Sequence, residues 1–170
     1  MNDYVFIDFD GVILDTEKRM YKRKEDLGFC DHDNQDEFRA YFEYTNLNPE
    51  EWDYIIRGAH TINNSVEIIQ ELEKMKKRIA ILTKVNSLYE MKVKIDDLRN
   101  NRKINCPVFF TPPKVKKHHV IIPNGQLLID DFSRNVNGWI ESGGKGLIFD
   151  PTLKKDTKEK VKSLEFLLKK

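Results

Sequence analysis

Carboxylate side chains interrupt two apolar segments of this sequence at positions that could bind a metal ion. Asp8 and Asp10 lie in VFIDFDGV near the start of the chain, and Asp130 and Asp131 close the segment LLIDD. An unpaired charge inside an apolar run is costly, so an exposed turn does not explain Asp8. Carboxylates that share a low-dielectric site repel one another unless a cation lies between them. Oxygen ligands of this kind favour Mg²⁺, which also accepts phosphate oxygens.

Other polar residues follow two further apolar segments. Thr83 ends RIAILT, and Lys114, Lys116 and Lys117 come shortly after PVFFT. A hydroxyl group and an ammonium group that face the same spot would bind the remaining charge of a phosphate. Together with the carboxylates, these residues predict phosphoryl-transfer chemistry.

Short apolar, β-rich segments position these residues and predict five buried strands, at 5–9, 78–83, 107–111, 126–131 and 146–150. Helical segments lie between several of them. This order is typical of an α/β fold, a Rossmann-like parallel sheet with helices on both faces. Ligands of such sheets bind outside the carboxyl ends of the strands, which is where the polar residues are expected to meet.

A change of composition marks an insertion after the first strand. Between residues 17 and 64, charged and aromatic residues mix and no strand is evident. We therefore predict a small helical cap at 17–64 and an α/β core formed by 1–16 and 65–170. Eight of the aromatic residues fall in the insertion, so some must pack it against itself.

Several helix ends can be predicted from local signals. Asp15 and Thr16 offer side-chain oxygens that could cap a helix, and Ser65 is expected to cap the helix that returns to the core. That helix should bury a stripe that ends at Met75. The tail from Asp156 has a capping pair and apolar periodicity, which predict a closing amphipathic helix.

Charge and composition exclude some classes of function. The 170 residues contain 29 Lys plus Arg and 28 Asp plus Glu, and the net charge of +1 predicts no stable binding of nucleic acid. There is no apolar run long enough for a membrane span and no leader pattern at the N-terminus. Cys30 and Cys106 lack metal-type spacing and favour free thiols in a reducing compartment. We expect a cytoplasmic protein, with monomer and homodimer both open.

The same residues resemble a known family. DFDGV after an apolar strand, ILT at the end of the next, a downstream lysine and LLIDD resemble, in order, the four motifs of the haloacid dehalogenase superfamily of phosphohydrolases. The segment LLIDDFSRNVNGWIESGGKGLIF is further similar to the 5'(3')-deoxyribonucleotidases of cytosolic and mitochondrial type and their bacterial and phage relatives. The resemblance covers the sheet-forming part and hardly the insertion, which it implies is a cap over the active site.

The resemblance implies roles for the carboxylates. Asp8 would attack phosphorus and form an aspartyl-phosphate. Asp10 would protonate the leaving hydroxyl and then activate the hydrolytic water. Asp8, the Asp10 carbonyl and Asp131 would hold Mg²⁺ with Asp130 nearby, and whether Asp130 or Asp131 binds the metal directly is left open.

The remaining roles concern the substrate. Thr83 would hydrogen-bond the phosphate, and Lys117 is preferred over Lys114 as the motif lysine. In the cap, Phe42 and Trp52 are the aromatic residues most suited to stack on a base, with packing as the alternative for each.

The leading hypothesis is a Mg²⁺-dependent phosphomonoesterase that hydrolyses (deoxy)ribonucleoside monophosphates. The alternatives are a sugar-phosphate phosphatase or phosphomutase, a polynucleotide 3'-phosphatase, and a binding module that kept the fold without the activity.

Overall fold

A parallel sheet lies at the centre of the molecule. In the computed structural model, which describes residues 4–29 and 34–169, this sheet has six strands: β1 (Val5–Ile7), β2 (Ile79–Lys84), β3 (Val108–Thr111), β4 (Leu127–Asp130), β5 (Lys145–Phe149) and β6 (Lys160–Val161). Their spatial order is β3-β2-β1-β4-β5-β6, and all neighbouring strands are parallel. The predicted Rossmann-like α/β architecture is confirmed.

The position of β1 in the middle of the sheet explains why its sequence is almost entirely apolar. Side chains alternate between the two faces of a strand, so β1 contributes to two separate cores. Phe6 packs in a cluster with Trp139, whereas Ile7 packs in a larger cluster with Ile129. Because both faces are buried under helices, the strand has no polar face.

Helices connect the strands. In the described residues, three helices lie between β1 and the helix that directly precedes β2. The helices are α1 (Thr16–Asp26), α2 (Gln35–Leu47), α3 (Glu51–Arg57), α4 (Ser65–Lys74), α5 (Leu88–Asp96), α6 (Lys117–Val120) and α7 (Ser133–Glu141). A π-helical turn at Asp97–Asn101 continues α5. In the described residues, the insertion after the first strand therefore contains α1, α2 and α3.

The cap shares its core with the sheet. Tyr41 from α2 and Trp52 from α3 belong to the same buried cluster as Ile7 of β1. An ion pair of 2.6 Å between Arg23 and Glu51 joins α1 to α3. The insertion and the sheet therefore share one buried cluster, and the Arg23–Glu51 pair links two helices of the insertion.

Two of the predicted helix ends need correction. Asp15 caps α1 as expected, since its side chain accepts a backbone N–H from the first turn. Ser65 does not cap α4: Asn64 is the N-cap residue, and Ser65 Oγ donates to the carbonyl of Val12 at 2.9 Å. Met75 lies beyond the end of α4 and is 37% exposed, so it is not part of the buried stripe.

The predicted closing helix from Asp156 is wrong. This segment forms β6 and then a 3₁₀ helix at Glu165–Leu168. Without β6, the edge of β5 would expose unpaired backbone groups. The pairing with β6 satisfies them, and Asp150 N donates to Val161 O at 2.8 Å. Val161 and Leu164 are buried, as the apolar pattern predicted. They lie in a strand and a turn, however, and not in a helix.

The described residues contain no helix that is both long and apolar enough to cross a membrane. Cys106 is a buried free thiol, and burial raises its pKa to about 12, which keeps the thiol protonated near neutral pH. Cys30 lies outside the described residues.

Candidate active site

Three carboxyl groups meet at the carboxyl ends of β1 and β4. The two strands are hydrogen-bonded neighbours with Ile7 opposite Ile129, so Asp8 and Asp130 follow at the same level. One carboxylate oxygen from each of Asp8, Asp130 and Asp131 lies within 4.8 Å of the others. Three of the four acidic residues predicted from the sequence, all except Asp10, therefore form one cluster.

Lys117 lies inside this acidic cluster. Its Nζ is 2.8 Å from Asp8 Oδ1 and 2.6 Å from Asp130 Oδ2, and the residue is only 4% exposed. Burial disfavours the ammonium form, but the charges of Asp8 and Asp130 outweigh this and raise the pKa of Lys117. Lys117 is therefore a buried cation that bridges two carboxylates.

Asp130 and Asp131 differ in their partners. Asp130 accepts hydrogen bonds from Lys117, from Phe132 N and from Asn135 Nδ2, so both of its oxygens are occupied. The Asp131 side chain instead faces Gly11, whose φ is +70° and where a Cβ would lie 2.0 Å from Asp131 Oδ2. Asp131 therefore has oxygens available for a metal, whereas Asp130 orients Lys117.

The acidic cluster carries more negative charge than Lys117 balances. Burial, with Asp130 and Asp10 adding repulsion, raises the pKa of Asp8 well above its ordinary value despite Lys117. Loss of solvent around the Asp131 carboxyl, followed by the charge of Asp130, raises its pKa to about 7. A divalent cation would relieve both effects, and an all-oxygen donor set fits Mg²⁺.

Asp10 lies in a second cluster on the β2 side. Thr16 Oγ1 donates to Asp10 Oδ1 at 2.7 Å, and Lys94 Nζ donates to Asp10 Oδ2 at 2.6 Å. Thr83 Oγ1 is 3.1 Å from Lys94 Nζ and 3.4 Å from Asp10 Oδ2. Asp8 and Asp10 are thus held by different partners although they are two residues apart.

Lys94 is a site residue that sequence reasoning missed. It is fully buried on α5 and also forms a 2.9 Å ion pair with Glu90, which is 3% exposed. Burial opposes its charge, but Asp10 and Glu90 together raise the pKa of Lys94. The only sequence signal for Lys94 is that it lies four residues after Glu90. This signal is ambiguous, because Lys92 and Asp96 have the same spacing and form an exposed pair.

A cavity of about 160 Å³ lies between the cap and Asp10. Phe42 and Trp52, the two predicted stacking residues, both line it, together with Glu17 and Glu90. Trp52 is 5% exposed, and its indole N–H has no hydrogen-bond partner among the described residues. The cavity is therefore an aromatic and acidic space beside Asp10.

A separate groove of about 570 Å³, which Lys117 also lines, is basic. Its lining includes Lys84, Lys114, Lys116 and Arg134, all exposed. In the described part of the chain, Lys114 makes no ion pair with the acidic cluster, and the same is true of Lys116. Of the three candidate lysines, Lys117 is the one that the structure brings to the carboxylates.

Solved structures of proteins described as haloacid dehalogenase-like hydrolases share the fold of this chain. A protein described as a haloacid dehalogenase-like hydrolase from Bacteroides fragilis matches with a TM-score of 0.67 at 12% identity, over 98% of this chain and 100% of its own. The hydrolase YfnB from Bacillus subtilis, solved with bound magnesium, matches with 0.66 at 13% identity, over 96% of each chain.

A third structure, of a protein described as a β-phosphoglucomutase from Thermotoga maritima, matches with a TM-score of 0.65 at 15% identity, over 98% of this chain and 97% of its own. No family model matches the sequence, and no curated protein does either. These similarities establish the fold. The nucleotidase resemblance remains a prediction.

Proposed function

We propose that this chain is a Mg²⁺-dependent phosphomonoesterase that acts through an aspartyl-phosphate on Asp8. The observation that carries the proposal is the separation of two neighbouring carboxylates into unlike environments. Asp8 lies in the acidic cluster with Lys117, and Asp10 lies beside the cavity with Lys94 and Thr16. Carboxylates in different environments can take different catalytic roles.

The contacts of Asp8 suit a nucleophile. Its Oδ1 accepts hydrogen bonds from Phe9 N at 2.8 Å and from Lys117 at 2.8 Å, which leaves Oδ2 for the substrate. In the first step, a bond forms between Asp8 Oδ2 and phosphorus, and the bond from phosphorus to the leaving oxygen breaks. Lys117 favours the ionised form of Asp8 that this attack requires.

The position of Asp10 suits a general acid and base. Asp10 lines the cavity into which the leaving group would extend. It would give a proton to the leaving oxygen in the first step and remove one from water in the second, when water attacks phosphorus and releases Asp8. Thr16 and Lys94 hold its carboxyl group in place for both steps.

The other predicted site residues would bind metal and phosphate. Asp8, Asp131 and the Asp10 carbonyl would hold Mg²⁺, with Asp130 behind them. When bound, Mg²⁺ neutralises and orients phosphate oxygens. The Thr83 hydroxyl lies near Asp10 and would donate to the phosphate. Lys114 is a weaker candidate for this role than Lys117, because it is exposed.

The substrate is proposed to be a small-molecule phosphate monoester in the cytoplasm. Phe42 and Trp52 in the cavity support a nucleoside monophosphate, with the cap at 17–64 closing over it. A sugar phosphate is the second candidate. The similarity in fold to the structure described as a β-phosphoglucomutase supports it.

Release of inorganic phosphate tests this function. The panel should contain a small aryl phosphate, nucleoside monophosphates and sugar phosphates, each assayed with Mg²⁺ and with excess chelator. Asp8→Asn should reduce hydrolysis of every substrate by several orders of magnitude, because an amide cannot form the acyl phosphate. Asp10→Asn should impair nucleotides and sugar phosphates more than the aryl phosphate, whose leaving group needs little protonation.

Asp150→Asn is the matched control, because Asp150 directly follows β5 outside the acidic cluster. It should keep near-normal activity. If Asp8→Asn keeps more than about a tenth of the rate, the nucleophile assignment is wrong. A tenfold slower reaction corresponds to only about 1.4 kcal/mol of activation free energy, less than the loss of covalent catalysis should cost. Full activity in chelator would contradict the metal site.

A further inference from the structure

The basic groove that Lys117 lines carries positive charge that its surroundings do not balance. Its other lysine and arginine side chains are all exposed: Lys84, Lys114, Lys116 and Arg134. None of these four forms an ion pair in the described part of the chain. Among the described residues, Glu141 is the only acidic residue in the lining. Because the whole chain has nearly equal numbers of basic and acidic residues, this excess is a local feature of the groove.

The first turn of α7 adds to this positive charge. Ser133 and Arg134 begin the helix and line the groove, and the N-cap residue Phe132 provides no side-chain hydrogen bond. A helix N-terminus carries a partial positive charge and N–H groups that bind anions. The helix start and the lysine side chains come from different parts of the chain, and both favour an anionic ligand.

The basic groove is continuous with the proposed catalytic site. Lys117 lines the groove, and its Nζ also contacts Asp8 Oδ1 at 2.8 Å. Asn135 lines the groove as well, and its Nδ2 donates to both oxygens of Asp130. The groove therefore begins one side chain away from the proposed nucleophile. A group on the same small molecule as the reacting phosphate can extend into it.

The cavity beside Asp10 has the opposite electrostatic character. Asp10, Glu17 and Glu90 line it, and no lysine, arginine or histidine among the described residues does so. A second anionic group on the substrate would be repelled by these carboxylates and attracted to the basic groove. The two spaces would therefore sort the parts of a substrate by charge.

The size and the rim of the groove suit a small organic phosphate. Its volume of about 570 Å³ lies within the range of roughly 300–1,000 Å³ that is usual for small-molecule sites. Phe132 at its rim is 52% exposed, and the guanidinium carbon of Arg134 is 5.6 Å from the centre of the ring. An exposed aromatic ring beside a cation offers a surface on which a base can stack.

We infer that the preferred substrates carry a second phosphate group, which binds in the basic groove while the first reacts at Asp8. Nucleoside bisphosphates and sugar bisphosphates share this chemistry. The inference rests on the proposed phosphomonoesterase activity, and it extends that activity by assigning a substrate group to the groove.

Two matched sets of substrates test the inference. Adenosine 3',5'-bisphosphate is compared with its two monophosphates, and ribose 1,5-bisphosphate is compared with its own two. We expect kcat/KM for a bisphosphate to exceed that of its better monophosphate by about tenfold at low salt, and this gain should shrink as salt is added. A gain in the nucleoside set alone would identify a nucleoside bisphosphate, and a gain in both would show that the base is not required. Equal values within both sets would overturn the inference.

A double variant, Lys84→Gln with Arg134→Gln, tests whether the groove is responsible. It should lower kcat/KM for the favoured bisphosphate by about tenfold and that for the monophosphates and a small aryl phosphate by much less. Lys155→Gln with Lys158→Gln is the matched control, because it removes the same charge from exposed positions that do not line the groove. The control should keep the preference for the bisphosphate. Equal losses in the two double variants would contradict the role of the groove.

Failure of this inference can be distinguished from failure of the proposed function. If monophosphates are hydrolysed and the second phosphate brings no gain, only the inference falls. If no ester is hydrolysed, the phosphomonoesterase proposal falls and the inference with it. Calorimetry on Asp8→Asn with Mg²⁺ adds a readout without turnover, since the bisphosphate should bind about tenfold more tightly than the monophosphate. Adding Lys84→Gln and Arg134→Gln to that variant should remove the difference, and a difference that persists would contradict binding in the groove.

Discussion

Replacing Lys94 by methionine should destabilise the protein strongly. The Lys94 side chain is 1% exposed, and its ammonium group pairs with Asp10 at 2.6 Å and with Glu90 at 2.9 Å. Lys94→Met preserves most of the volume but leaves Glu90 buried without a counter-charge. Removal of one partner from a buried ion pair typically costs about 3–5 kcal/mol of unfolding free energy. For a domain of this size that corresponds to a fall in Tm of roughly 6–20 °C.

Lys92→Met is the matched control for this effect. Lys92 lies on the same helix and pairs with Asp96 at 2.7 Å, but its side chain is 67% exposed. An exposed pair contributes about 0–1 kcal/mol, so the Tm of Lys92→Met should fall by no more than roughly 4 °C. Thermal unfolding and urea titration of both variants provide the measurement. Equal, small losses for the two would refute the view that Lys94 neutralises buried carboxylates.

A second substitution checks the cause. Glu90→Gln in the Lys94→Met background removes the uncompensated charge, so the double variant should recover part of the lost stability. Its phosphate release should nevertheless remain low, because Asp10 no longer has the Lys94 contact that positions it. A double variant that is less stable than Lys94→Met would show that the lost stability has another origin.

Three further predictions concern the metal, the cap and the thiol. Ca²⁺ should inhibit phosphate release at fixed Mg²⁺, because it would bind the same carboxylates with looser geometry; equal activity with Ca²⁺ would contradict this. Trp52→Ala should cost about 3–5 kcal/mol of stability, since Trp52 is 5% exposed, and unchanged melting would be the contrary result. Phe42 is only part-buried, so Phe42→Ala should mainly raise KM for nucleoside monophosphates, and an unchanged KM would contradict this. In a Cys30→Ser background, iodoacetamide should label Cys106 at pH 8 only after unfolding, because burial raises the thiol pKa to about 12, and fast labelling of the native protein would refute this.

The parts of the fold that depend on local pattern were predictable. An apolar run broken by Asp8 indicates a buried strand that ends in a polar site, because a buried carboxylate is costly unless it is paired. The same reasoning placed Asp130 and Asp131 at the end of another buried strand. The closing helix was wrong because its segment pairs with the edge of β5, a non-local contact that its own periodicity does not reveal.

The site was predictable where a residue lies at the end of a strand or soon after it. Lys117 could be preferred over Lys114 from its position, but its burial depends on how α6 packs against the sheet. Lys94 could not be recognised, because Glu90–Lys94 and Lys92–Asp96 have the same spacing on one helix. The rotation of α5 against the sheet decides which pair is buried, and that is a property of tertiary packing.

Trapping of the covalent intermediate tests the central claim most directly. Wild-type protein should be mixed with Mg²⁺ and a small aryl phosphate, quenched during turnover and reduced with borohydride, which converts an aspartyl-phosphate into homoserine. Peptide mass spectrometry should then find homoserine at position 8, dependent on both substrate and Mg²⁺. Steady turnover with no homoserine, or with homoserine at Asp10, Asp130 or Asp131 instead, would contradict the assignment of Asp8 as the nucleophile.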